Sequence, residues 1–147
     1  MLEIPQMRCA IAIFKIDLSN LLMKEKNWPI TVIKVLMGVL MITGGIQHFR
    51  SPDLYIPFVP SFLPLILVII YVTGLLEITF GLALFSAKWS STGAFGILWL
   101  MVLFLPLHVW DVFSKTPAIG SHVAALIRLP IQFLLIFLAW KVKTNNQ

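Results

Sequence analysis

The sequence predicts an all-α bundle of four transmembrane helices, preceded by an N-terminal amphipathic helix, with both termini in the cytoplasm. Three observations predict it. The 147 residues are 59% hydrophobic and only 12% charged, with a mean hydropathy of +0.95, whereas soluble domains carry about 25% charged residues. Four apolar runs, each long enough to cross a hydrocarbon core of about 30 Å, are separated by Pro-, Gly- and Lys-containing breaks. The bases are unevenly placed. Arg8, Lys15, Lys24, Lys26, Lys34, Lys88, Lys141 and Lys143 fall on one side of such a bundle, with Arg50, Lys115 and Arg128 towards the other. The positive-inside rule then puts both termini in the cytoplasm. On this reading the net charge of +5 is a topology signal and not a nucleic-acid footprint.

Residues 1–27 come first. Ile4, Met7, Ile11, Phe14, Leu18 and Leu21 recur at three- and four-residue steps, while Arg8, Lys15 and Asp17 fall elsewhere. This is the pattern of an amphipathic helix on a membrane surface. A frayed tail and a start at Met23 are the alternatives. No small-residue cleavage site follows a compact apolar core, so a signal peptide is not expected. Cys9 is the single cysteine; it cannot form an internal disulfide and reads as a small apolar helix residue.

Trp28 and Pro29 mark an interface and a helix start. The first span runs from Ile30 to Phe49, with Gly38, Gly44 and Gly45 permitting close approach of a second helix. Residues 50–62 form a loop in which Pro52, Pro57 and Pro60 exclude a continuing helix. Tyr55, Phe58 and Phe62 suit a segment folded over the bundle. The second span is Leu63–Phe85. A short turn over 87–93 leads to the third, Gly93–Val112, which contains Pro106. A polar loop over 114–121 precedes the fourth, His122–Trp140, with Arg128 and Pro130 near its start. The domain division is therefore 1–27 and 28–147.

The candidate site begins with Glu77, a carboxylate inside an apolar span. Ionisable groups at that depth are expensive and are functional by default. Gly74 and Gly81, at i−3 and i+4, share its face and leave room for a ligand or a neighbouring backbone. The alternative is an acid bonded to a neighbouring helix. His108 and Asp111 are three apart and Arg128 and Gln132 four apart, so each pair shares a helix face. With His48 ending the first span they form an expected outer cluster, in which Arg128 pairs with Asp111 and the histidines bond around it. That network serves either a ligand or simply helix cohesion. A metal site is not expected. The spacing fits no metal motif, and Glu77, about 12 Å from the inner end of its span, is placed too deep to meet the others. Neither a G-x-S-x-G nucleophile elbow nor a phosphate loop is present.

The string GGIQHFRSPDLYIPFVPSFLP followed by GLLEITFG, and the later RLPIQ segment, resemble the DoxX-like family of small four-helix membrane proteins over about residues 30–143. The resemblance implies site positions at His48, Pro52, Tyr55, Pro57 and Pro60 in the loop motif, at Gly74, Glu77 and Gly81, and at Arg128 and Gln132. It also implies links to a thiosulfate:quinone oxidoreductase, to membrane complexes handling oxidative stress, and, in a distant animal relative, to receptor-channel assembly. The absence of paired cysteines departs from a thiol-redox scheme and leaves quinone binding open. The leading expectation is an accessory subunit in the cell membrane. It binds lipid, a membrane-protein partner or a second copy, and holds a quinone or lipid near Glu77. The competing expectations are a small quinone-linked oxidoreductase and a small-solute or proton transporter.

Overall fold

The computed structural model describes residues 28–60 and 63–145. The amphipathic helix expected over 1–27, Cys9, and Phe62 of the loop lie outside the described residues. The described chain is all-helical: α1 (Trp28–Arg50), α2 (Ile66–Ala83), α3 (Ser90–Phe113) and α4 (His122–Thr144), with two single-turn 3-10 helices, Pro52–Leu54 and Ile56–Phe58, between α1 and α2. All four long helices are long and apolar enough to cross a membrane, and the architecture is that of a multi-pass membrane protein. The chain falls into two compact units, 1–32 and 33–147. The described part of the first is the opening of α1, residues 28–32.

Within the second unit the helices run alternately up and down. Gly38 lies against Gly81 and Phe85 while Gly45 lies against Gly74 and Ile78, so α1 and α2 are antiparallel. Gly93 and Gly96 near the start of α3 meet Phe80 and Ala83 near the end of α2. Gln132 bonds to Met101 and Lys143 lies over Phe95, which sets α4 antiparallel to α3. Water provides no driving force between helices in lipid, so this packing rests on close van der Waals contact at small residues. Large side chains on the outward faces remain open, Leu75 at 57%, Leu126 at 57% and Phe137 at 51% exposure, as lipid-facing surfaces require.

The bundle is filled at one end and hollow at the other. Met37, Leu84, Ala94, Ile97, Ala139 and Val142 form a buried core near the α2–α3 turn and the end of α4. Met41 and Met101 cap that core and also line the cavity beyond it.

Against the expected spans, α1 begins two residues earlier, at Trp28, α4 runs on past Trp140 to Thr144, and the starts of α2 and α3 both shift. α2 starts at Ile66 and not at Leu63. Pro64 disfavours a helical Leu63, and Leu65 caps the helix with φ 58° and ψ 44°. That left-handed conformation costs a branched side chain about 1–2 kcal/mol. α3 starts at Ser90, three residues early, because the Ser90 N–H already bonds Ser86 O at 2.9 Å. Pro106 and Pro130 both stand inside continuous helices, as spanning helices tolerate. At the start of α4, Ser121 caps the helix by accepting from the Ala124 N–H at 3.2 Å. Ser121→Ala is expected to lower stability by about 1 kcal/mol, read as a small drop in melting temperature with the oligomeric state unchanged.

Candidate functional site

A cavity of about 490 Å³ occupies the hollow end. Its walls are mostly aliphatic and aromatic side chains of all four helices, and the loop between α1 and α2 lines one side of it. Pro52 and Pro57 open the two single-turn helices, and backbone bonds such as Tyr55 N–H to Pro52 O (2.9 Å) and Phe58 N–H to Tyr55 O (3.0 Å) hold the turns tight. Tyr55, Phe58, Val59 and Pro60 thereby face the cavity. Seven polar side chains converge on it: His48, Tyr55, Thr73, Glu77, His108, Arg128 and Gln132. All but Thr73 are candidates named from the sequence.

His48 is oriented by α2. Its Nδ1 lies 2.9 Å from Ile70 O, a carbonyl that can only accept, and 3.3 Å from Thr73 Oγ1. The carbonyl fixes the proton on Nδ1 and turns Nε2 towards Glu77, whose Oε2 lies 3.8 Å away. That separation is within ion-pair range for a protonated imidazole only, and is beyond a direct hydrogen bond. The ring stacks on Tyr55 with centroids 3.7 Å apart. Tyr55 itself stands in the loop, and its phenol is held above the usual tyrosine range, first by burial and then by the Glu77 charge, with Arg128 opposing. Its hydroxyl thus feels both the acid of α2 and the base of α4.

The expectation that Glu77 lies too deep to meet the others is corrected. The close seam between α1 and α2 sets the His48 Cβ directly over Gly74, one turn from Glu77. The imidazole then reaches down rather than out. Among the described residues no group of three or more His, Cys, Asp or Glu is placed to hold a metal ion.

The expected Arg128–Asp111 pair is also corrected. Among the described residues no carboxylate lies within ion-pair distance of Arg128. Its guanidinium sits over the Phe58 ring at 4.3 Å, and Nη1 is buried without a hydrogen-bond partner. Asp111 spends Oδ1 on the Ala118 N–H at 2.5 Å, tying the end of α3 to the following loop. Its Oδ2 is unbonded, and it does not line the cavity. His108 is 7% exposed, lines the cavity and has an unbonded Nδ1. Gln132 gives its amide N–H to Met101 O at 2.6 Å, which locks α4 to α3 beside His108.

Gly74 and Gly81 do not line the cavity. A Cβ on Gly74 would stand 2.6 Å from the His48 Cβ, and one on Gly81 3.1 Å from Gly38 O. They seat α1 instead of a ligand. Gly44 is the glycine that does line the cavity, facing Glu77 Oε2. Thr73, Phe58 and Met101 also shape the site; in the sequence only the polar interruption of an apolar run at Thr73 hints at it.

Over residues 37–143 the chain matches a family described as Domain of unknown function (DUF8561). The chain belongs to that family. The DUF8561 match takes in nearly all of the bundle and every polar residue of the cavity. No curated protein and no solved structure matches the chain.

Proposed function

We propose that the chain is an accessory subunit of the cell membrane that binds a partner protein and holds an amphipathic small molecule, a quinone or lipid, beside Glu77. The observation that carries this reading is the cavity: about 490 Å³, within the usual 300–1,000 Å³ of small-molecule sites, apolar in its walls and crossed by a few convergent polar groups. Such a chamber inside a lipid-facing bundle suits a ligand that partitions from the bilayer. Kinship with the DoxX-like proteins belongs to the same proposal and rests on the residues quoted above. So does the placement of both termini in the cytoplasm. It is supported by Lys88 in the α2–α3 turn and Lys141 and Lys143 at the end of α4, which stand at the same end of the bundle.

A quinone-linked oxidoreductase is the second reading. The contact of Glu77 with His48 at 3.8 Å, under the stacked Tyr55, favours it, since three side chains able to carry protons adjoin one chamber.

Native mass spectrometry on protein extracted gently from its own membrane tests both. The expected result is a retained small molecule, a co-purifying subunit, and at least a tenfold lower ligand occupancy in Glu77→Gln with the fold intact. A wild-type chain that carries neither molecule nor partner would sink the accessory-subunit reading. Redox turnover that disappears in Glu77→Gln would favour the enzyme.

A further inference from the structure

Three features of the cavity point to the charge of its occupant. Arg128 enters it as a cation with no carboxylate at ion-pair distance among the described residues. Its guanidinium packs on the face of Phe58, and Nη1 is buried and unbonded. His108, itself more than nine-tenths buried, offers a second unbonded nitrogen on the adjoining wall. The two acids nearby do not answer these donors. Glu77, on α2, lies 3.8 Å from His48 Nε2 and makes no ion pair with Arg128. Asp111, although Arg128 feels its charge, accepts the Ala118 N–H on Oδ1, leaves Oδ2 unbonded, and stands outside the cavity and beyond ion-pair reach of Arg128. A guanidinium taken out of water without a partner is costly, and an anion that completes it recovers that cost. A neutral carbonyl would satisfy the hydrogen bonds and leave the charge.

We infer that the occupant is an amphiphilic anion, an aliphatic tail with one anionic head group, whose head seats between Arg128 and His108. The inference rests on the ligand-holding reading above. The chemistry is that of a charge-assisted fork. Arg presents parallel N–H donors that match two oxygens of one head group, and the unbonded His108 Nδ1 adds a donor to the same group when it carries a ring proton. The tail runs along α4 from Ile131 to Leu135, against Leu40 and Phe104. From Arg128 to Leu135 this is ~10 Å of helix axis. Phe58, over the guanidinium, roofs the head group from the loop side.

The test is equilibrium binding of radiolabelled palmitate to the purified, delipidated full-length protein, with hexadecanol and a short-tailed benzoquinone as competitors. Palmitate is expected to bind at least tenfold more tightly than hexadecanol. Arg128→Gln should lose at least tenfold in palmitate affinity and erase that preference, while Arg128→Lys, which keeps the charge without the fork, falls between. Repeating the measurement in phosphatidylglycerol and phosphatidylcholine nanodiscs separates the sources. Competition by phosphatidylglycerol assigns the site to a lipid headgroup, and its absence assigns it to a free acid. Equal binding of acid and alcohol, or unchanged palmitate affinity in Arg128→Gln, overturns the anion inference and leaves the cavity as a neutral-ligand site. Failure of palmitate, hexadecanol and the quinone alike overturns the ligand-holding reading itself. If Arg128→Gln does not fold, the wild-type acid–alcohol comparison and Arg128→Lys decide.

Discussion

Gly45→Leu is expected to cost more than about 3 kcal/mol, the upper end of ordinary overpacking, and to leave little monodisperse protein after mild heating. A Cβ at this position would stand 2.5 Å from Gly74 O, 2.7 Å from Ile78 Cγ1 and 3.0 Å from the Ile78 backbone nitrogen. Two of these three atoms are backbone, and a backbone cannot rotate aside as a side chain can. The helices must separate, and in lipid their association rests on close packing together with the His48–Ile70 hydrogen bond between them. The reciprocal change, Gly74→Leu, meets the His48 Cβ at 2.6 Å and Gly45 O at 3.0 Å and should be as severe. It would also displace His48 from Ile70 O and Glu77. Gly45→Ala should already be damaging, since the first added carbon makes the clash. The measurement is the fraction of folded protein surviving a temperature series by size-exclusion chromatography. Variants that survive with the wild type would show that α1 and α2 are not seated in this register.

That seam also explains what can be read from the sequence and what cannot. The four spans are legible because an apolar run of about 20 residues has few other uses. Glu77, His48, His108, Arg128 and Gln132 are legible because each interrupts such a run with a polar group. Depth along a helix is likewise readable from the rise per residue. Direction is not. Whether His48 points outward or down towards Glu77 depends on the α1–α2 register, which is set by Gly38, Gly45, Gly74 and Gly81 acting across helices. Levels alone pair Asp111 with Arg128. The structure gives Asp111 Oδ1 a local backbone donor, Ala118 N–H, seven residues on, which holds the carboxylate towards its own loop and beyond ion-pair reach of Arg128. The role of Gly74 is hidden for the same reason: i−3 spacing puts it on the face of Glu77, but the helix that occupies that face cannot be known from one strip of sequence. Phe58 can be assigned to an aromatic loop over the bundle, yet its stacking on Arg128 is a consequence of two single-turn helices that no periodicity announces.

Gly44→Leu is expected to do the opposite of Gly45→Leu, although the residues are neighbours. Turning by one residue on α1 moves the side chain from the helix seam to the cavity wall. A Cβ at Gly44 meets a single close atom, Glu77 Oε2 at 3.1 Å. That atom ends a flexible side chain and can withdraw by a few tenths of an ångström. The remaining carbons of the introduced leucine then enter apolar space bordered by Leu40 and Met41, where their burial is favourable. Folding should therefore survive, with stability changed by less than about 1.5 kcal/mol, the range of tolerated hydrophobic changes. Ligand retention should not survive: occupancy in native mass spectra should fall at least tenfold, about 1.4 kcal/mol, because the leucine takes the volume beside Glu77. The two substitutions together separate the roles of adjacent residues, one holding the helices and one leaving the chamber open. A Gly44→Leu protein that folds and still carries its molecule would place the ligand away from Glu77, and would leave the Arg128 end of the cavity as the whole of the site.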